Sequence, residues 1–300
     1  MTTRTPTYEI VDYKQKFRNN DIIFFNRITY LVNLNHIEIY NPSNDFVFLC
    51  FYLTLGDSIE TIKLDKNIID AFLGKDCCEY NEDRTKLKIE IPWKKLGYWN
   101  KISPLSVIYH EMSIRINYEG SAHEIYCIGK NAVTMDRNIE KHEYIPNFHQ
   151  QSICIYENGK HVFSFDNVYG LIHGLFVTSN FVKMMDYVKL FTVYKPSNEI
   201  NEIEKLYDYS SKTLKQILLN NKLTENMYYL PLNKSKDINN PEFESSIQIN
   251  DNENSRPLQI VIETESTREY KNPLTFEFFI YKTFQFKSFM GSPCIEYDIL

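Results

Sequence analysis

The sequence predicts an all-β protein built of β-sandwiches or jelly rolls, and three observations carry that prediction. Apolar and polar side chains alternate with a period of two along much of the chain, 22 Tyr and 20 Phe supply most of a 15% aromatic content, and only one long stretch has helical periodicity. Alternation sends one set of side chains into a core and the other toward water or a partner, as in half-buried antiparallel strands. Tyr and Phe favour such pleated surfaces. With 300 residues, 43% apolar and 24% charged, the composition is globular. That length suffices for one large β-domain or two sandwiches of about 150 residues each.

In chain order, Ile28, Tyr30, Val32 and Leu34 alternate with Arg27, Thr29 and Asn33, with Leu31 out of step on the polar side. A strand is predicted over 46–54, and a short helix over Asn67–Leu73 that stops at Gly74, where a left-handed cap suits glycine. Leu87, Ile89 and Ile91 alternate with Lys86, Lys88 and Glu90 until Pro92 stops the run. His110, Met112, Ile114, Ile116 and Tyr118 oppose Glu111, Ser113, Arg115, Asn117 and Glu119. Further strands are predicted at 122–128, 151–157, 161–165, 171–177, 187–194 and 226–232. The longest helical pattern covers 200–220, where Ile203, Leu206, Tyr207, Leu214, Ile217 and Leu218 share a face behind Pro196 and Ser197. Leu258, Ile260 and Ile262, then Phe276, Phe278 and Ile280, then Phe284 and Phe286 give the last strands. The polar segments 129–149 and 233–257 read as a linker between halves and a long surface excursion. No tandem repeat of 20–50 residues is found.

A net charge of −6 without a basic cluster lacks the electrostatic footprint of a nucleic-acid binder, so no sequence-specific nucleic-acid contact is expected. The six cysteines (50, 77, 78, 127, 154 and 294) have no regular spacing and no C-x-x-C pair, which reads as reduced thiols serving as small apolar fillers. The start, Met1 to Thr7, has no apolar core of a leader, so no cleaved signal peptide is expected. The longest apolar run, Val47–Leu55, is too short for a membrane-spanning helix.

Chemistry is harder to find. No glycine-rich phosphate loop and no G-x-S-x-G elbow occurs. His-Glu appears at 110–111, 123–124 and 142–143, each time without the second His that would place two imidazoles on one helical face. Pro146 separates His142 from His149, and His110 aligns with Met112 and Ile114 as a core histidine would. Carboxylates are numerous enough for a glycosidase-like pair, yet most fall in polar loops or on outward strand faces. Exposed aromatics stacking on sugars are the alternative to aromatics filling cores and subunit interfaces. The reading is of no enzyme, no catalytic residue, no metal ligand and no cofactor.

One stretch is more specific than its periodicity. Ile91-Pro92-Trp93, a short insert with Trp99, then Pro104-Leu105 and Tyr109-His110-Glu111 resemble the hallmark of the major capsid proteins of large eukaryotic DNA viruses. In that family an I-P-L-P-F-W-F strand end precedes L-P-L-I-A-L-Q-Y-H-E-V. Here Trp93 alone stands for the aromatic cluster, and Ile108 replaces the Gln. Weaker echoes follow in family order: Ile59–Leu64 with Ile68-Ile69-Asp70 and Gly74, then Ile172–Val177, then Phe284-Gln285-Phe286 through Phe289-Met290-Gly291. The resemblance implies two compact jelly rolls in tandem, 1–148 and 149–300 with a linker inside 129–149, and one or two short helices. The alternative is a single roll with inserted segments. It further implies a virion protein that assembles in the host cytoplasm, as the trimeric capsomer of an icosahedral shell or alternatively as a pentameric vertex or minor capsid protein, with itself and other capsid proteins as partners. Pro92, Trp93, Pro104, Leu105, Tyr109, His110, Glu111, Met290 and Gly291 would then be structural residues. A carbohydrate- or receptor-binding sandwich is the competing reading.

Overall fold

The structure, a computed structural model, describes residues 12–17, 22–24, 32–55, 61–96, 112–131, 140–196, 203–235, 237–239, 241–249, 257–265, 273–289 and 292–296. The chain divides into two compact units, 1–143 with 286–295 and 144–285 with 296–300.

The first unit contains β1 (Asp12–Phe17), β2 (Ile22–Phe24), β3 (Val32–Pro42), β4 (Val47–Leu55), β5 (Thr61–Asp65), β6 (Cys78–Tyr80), β7 (Lys86–Glu90), β8 (Met112–Glu119) and β9 (Ala122–Asn131). They form two sheets, ordered β1-β9-β3-β7-β6 and β2-β8-β4-β5. Setting β6 aside as an added edge strand leaves eight, in the orders first-eighth-third-sixth and second-seventh-fourth-fifth. Two sheets of interleaved antiparallel strands in this order are a jelly roll. Alternation decides which side chains enter the core: β5 buries Ile62 and Leu64, β7 buries Leu87 and Ile89, and β8 buries Ile114, Ile116 and Tyr118. β4 departs from alternation because its register against β8 shifts between Phe48 and Cys50, which leaves Cys50 and Phe51 both buried.

Helix α1 (Lys66–Leu73) stands between the fifth and sixth strands of this roll. The Asp65 carboxylate accepts the Asn67 amide at 2.9 Å, and Gly74 closes the helix at φ 71°. Ile68, Ile69, Ala71 and Phe72 are buried. A single helical turn, α2 (Trp93–Leu96), follows β7.

The second unit repeats the plan with β10 (Glu140–Ile155), β11 (Gly159–Phe165), β12 (Gly170–Thr178), β13 (Val188–Pro196), β14 (Ile203–Ser210), β15 (Met227–Pro231), β16 (Ile247–Ile249), β17 (Leu258–Thr264) and β18 (Leu274–Phe289). The sheets run β10-β18-β12-β15 and β11-β17-β13-β14, with β16 added beside β12; β19 (Ser292–Glu296) pairs with β18, and its residues 292–295, like 286–289 of β18, belong to the first unit. Leaving out β16 and β19, the two orders are again first-eighth-third-sixth and second-seventh-fourth-fifth. Short helix α3 (Ser179–Lys183) follows β12, and α4 (Ser211–Asn220) again stands between the fifth and sixth strands. One core draws on both sheets, with Val177, Phe278 and Ile280 from one and Phe191, Val193 and Ile260 from the other. Phe181 of α3 and Leu214 and Leu218 of α4 complete it. In β12, Gly170–Val177 are buried without interruption, as in strands covered on both faces, and His173 is the one polar side chain among them.

Three expectations are corrected. The helix expected over 200–220 begins only at Ser211, and 203–210 are a strand paired with β13. Val193 faces Tyr207 and Tyr194 faces Lys205, so Leu206 is an extra, bulged residue. The bulge sets Leu206 and Tyr207 side by side and imitates helical spacing. In the segment expected as a polar linker, 129–149, the described residues are strand, the end of β9 (129–131) and the first ten residues of β10 (140–149), and the boundary between the two units falls inside it at 143/144. Polar residues serve in a strand when neighbours satisfy them: Gln150 Nε2 donates to Glu277 Oε1 of β18 at 3.0 Å. Within 233–257, Asn233 and Ile238 are buried and β16 pairs with β12, so the described part of this segment is not a free excursion. Of the first alternating run, Ile28 and Tyr30 lie outside the described residues.

Phe278 is fully buried, with ring centroids of Phe181 at 5.0 Å and Phe276 at 5.2 Å. Replacing it (Phe278→Ala) removes a ring between two sheets and leaves a cavity; urea unfolding is expected to show a loss of about 3–5 kcal/mol.

Candidate functional site

Of the motif residues singled out in the sequence, Pro92 is buried at the end of β7, and its carbonyl accepts the Leu96 amide at 2.9 Å across α2. Lys95 Nζ donates to the Phe72 carbonyl at 2.7 Å, placing a cation at the C-terminal end of α1 where the helix dipole favours it. Trp93 belongs to α2. Pro104, Leu105, Tyr109, His110, Glu111, Met290 and Gly291 lie outside the described residues.

The densest buried polar group in the described residues centres on His173. Ile172 faces Lys282 and Gly174 faces Tyr281, so His173 is a one-residue bulge in β12. It also sits where β12 exchanges one partner strand for another, β16 up to Ile172 and β15 from Gly174. The carbonyl freed by the bulge accepts the Leu232 amide at 2.8 Å and the Tyr229 hydroxyl at 3.1 Å. Gly174 is required beside it, because a Cβ there would lie 2.5 Å from the Tyr229 ring. The imidazole is fully buried, with Nδ1 2.7 Å from Ser246 Oγ and Nε2 3.0 Å from Thr283 Oγ1. Ser246 gives its only hydroxyl proton to the Glu242 carbonyl at 2.8 Å, so its oxygen accepts from Nδ1–H, and Nε2 accepts from Thr283. Burial pushes the imidazole down to about 3, which keeps it neutral. The cluster ties Asn233 and Ser246 to His173 on β12.

On β3, Glu38 is drawn upward by burial, and hydrogen bonds from Lys86, Tyr40 and His36 more than offset this to hold it below its ordinary value. Asp76, Asp83, Glu90 and Asp208 are lowered as well. A glycosidase acid needs a raised carboxyl, and among the described residues no resolved carboxylate shift goes upward. His123 is exposed on β9 and His149 is half-buried on β10. The one metal-type group among the described residues contains no histidine: Asp76, Cys77 and Cys78 present ligand atoms within 4.8 Å of one another. In the sequence these two cysteines are adjacent and not spaced as C-x-x-C, so spacing gives no metal signal.

Two eight-stranded jelly rolls in one chain define a double jelly-roll protein. Among solved structures it is similar to one described as a quasi-atomic model of the PBCV-1 virus capsid, with a TM-score of 0.61 and 8% identity over 100% of this chain and 99% of that chain. It is likewise similar to PBCV-1 VP54 as fitted into a reconstruction of the virophage Sputnik, with a TM-score of 0.61 and 6% identity over 100% and 99% of the two chains. No family model and no curated protein matches the sequence. At such identities the likeness establishes a shared fold over the whole length of both chains.

The buried neutral imidazole carries a pH dependence. His173 titrates at about 3 when folded against 6.5 ordinarily, so the unfolded chain binds the extra proton first. Its contribution is complete above pH 6.5 and is lost as pH falls toward 3, amounting to about 2 kcal/mol between pH 6.5 and 5. Urea unfolding at pH 7 and pH 5 should show the wild type losing more stability than His173→Asn by that difference.

Proposed function

We propose that this chain is a structural capsid protein that self-assembles into trimeric capsomers of an icosahedral viral shell, alongside other capsid proteins. The observation that carries this reading is the double jelly roll matched end to end with a virus capsid structure, both chains being covered almost completely. The chemistry agrees: the histidine of the buried polar cluster is locked neutral, and the carboxylates with resolved shifts are held ionised by lysine, hydroxyl and amide partners. In such a protein, function is geometry. Rigid sandwich cores hold loops and edges in place, and contacts of the permanent kind commonly bury more than about 2,000 Å² of largely apolar surface. The two domains of the subunit are its two rolls, its site of action is the virion, and assembly takes place in the host cytoplasm. Tyr109, His110 and Glu111 pack strands near the trimer seam, and Pro92, Trp93, Pro104, Leu105, Met290 and Gly291 serve as further structural residues.

Size-exclusion chromatography with light scattering on the purified chain is expected to give a stable trimer. A strict monomer that binds glycans would replace this reading with the carbohydrate-binding sandwich, and a pentamer would replace it with a vertex protein. Substituting Tyr109→Ala and His110→Ala together is expected to lower the trimer fraction, and unchanged assembly would remove those residues from the seam.

A further inference from the structure

The turn between α1 and β6 brings two adjacent cysteines together. Cys77 lies in a bend before β6, so the two side chains do not diverge to opposite faces as they would in an extended strand, and their Sγ atoms are 3.8 Å apart. A disulfide suits this pair poorly. Neighbouring Cα atoms are held about 3.8 Å apart by the peptide bond, below the roughly 4.4–6.8 Å that disulfides span. A tetrahedral cation suits it well, since two sulfurs bonded at about 2.3 Å stand about 3.8 Å from each other.

The surroundings supply the other requirements of a site. Asp76 places a carboxylate oxygen within 4.8 Å of both sulfurs. Its Oδ1 accepts from the Cys78 amide at 2.8 Å and from Lys66 Nζ at 3.0 Å, which fixes the carboxylate beside the sulfurs. Lys66 also bonds Asp70 Oδ2 at 2.6 Å, and Asp70 Oδ1 accepts the Cys77 amide at 2.7 Å. Both cysteine amides are thus tied to carboxylates before any cation arrives, and ligand geometry held this way is not lost to chain entropy on binding. Two thiolates and one carboxylate around a divalent cation carry a net charge of −1, which the Lys66 ammonium offsets. Cys77 is buried, Cys78 half-buried and Asp76 65% exposed, so the group opens on one side to solvent.

We propose that Cys77, Cys78 and Asp76 bind one thiophilic divalent cation of the zinc class, with water as the fourth ligand. Binding releases the two thiol protons to solvent and forms two metal–sulfur bonds and one metal–oxygen bond. The cation ties the end of α1 to the start of β6 in the first roll, whatever the chain assembles into.

The test uses the full chain with the two exposed thiols removed (Cys154→Ser and Cys294→Ser), titrated with Cd2+ and followed by the ultraviolet sulfur-to-cadmium charge-transfer band. The expected result is a band that saturates at one Cd2+ per chain, is displaced by Zn2+, and disappears in Cys78→Ala. Absence of the band from the parent chain, or its persistence in Cys78→Ala, overturns the proposal. Asp76→Asn, at an exposed turn position, keeps the test decisive if Cys78→Ala misfolds. An affinity lowered at least about tenfold supports the site, and an unchanged affinity overturns it.

Discussion

Each roll is closed by hydrogen bonds between its first and last strands, and the other elements take their places around that closure. In the first roll β1 runs antiparallel to β9, from Asp12 opposite Lys130 to Phe17 opposite Ile125. In the second, β10 lies beside β18. These partners are more than a hundred residues apart in the sequence, so the chain must lose loop entropy before the pairing returns anything. Once the last strand is seated, it offers its other edge to the third strand, and the third to the sixth. The second, seventh, fourth and fifth strands then have only the facing sheet left to build.

The helices obey the same plan. α1 and α4 each start at the end of the fifth strand of their roll, and in each the last strand residue is also the helix cap. Asp65 accepts from the Asn67 amide and Ser210 from the Thr213 amide, so one polar side chain ends the ladder and begins the helix. Their apolar faces differ in sequence (Ile68, Ile69 and Phe72 against Leu214 and Leu218) while serving the same connection. No sequence repeat records the duplication, because the plan requires only polarity and capping chemistry at each position. Cores accept many apolar side chains of suitable volume, which is how a chain can match another over its full length at 8% identity.

Legibility in the sequence followed the strand pairing. Where a strand kept register, as in β7 with Leu87 and Ile89 inward, alternation located it to within a residue or two. α1 and its Gly74 stop were equally readable, since capping is local chemistry. Where the register slipped, alternation misled. The extra residue Leu206 turned an edge strand into an apparent helix. The same cause hid the buried polar cluster. His173 stands in a stretch legible as a strand over 171–177, and nothing in that stretch says that it is a bulge, because a bulge belongs to two strands at once. The thiol pair was hidden differently. Spacing rules for metal ligands assume residues carried on regular elements, and Cys77 and Cys78 meet through a bend.

A fold of this kind leaves the choice of partner to its surface, since the rolls themselves specify only a stiff body. In the second roll, β11 and β14 are the outer strands of one sheet and have no strand partner on their far sides among the described residues. Such edges invite indiscriminate strand addition unless they are blunted. β14 is blunted by charge: Glu204 pairs with Lys195, Lys205 pairs with Asp208, and the Leu206 bulge breaks the ladder between them. β11 carries Lys160 and the exposed Val162, with exposed Tyr156 just before it. An edge interrupted by ion pairs and a bulge resists continuous backbone pairing with a second chain. Association at the β14 edge therefore falls to side chains, whose identity can change without disturbing the pairing that closes the roll.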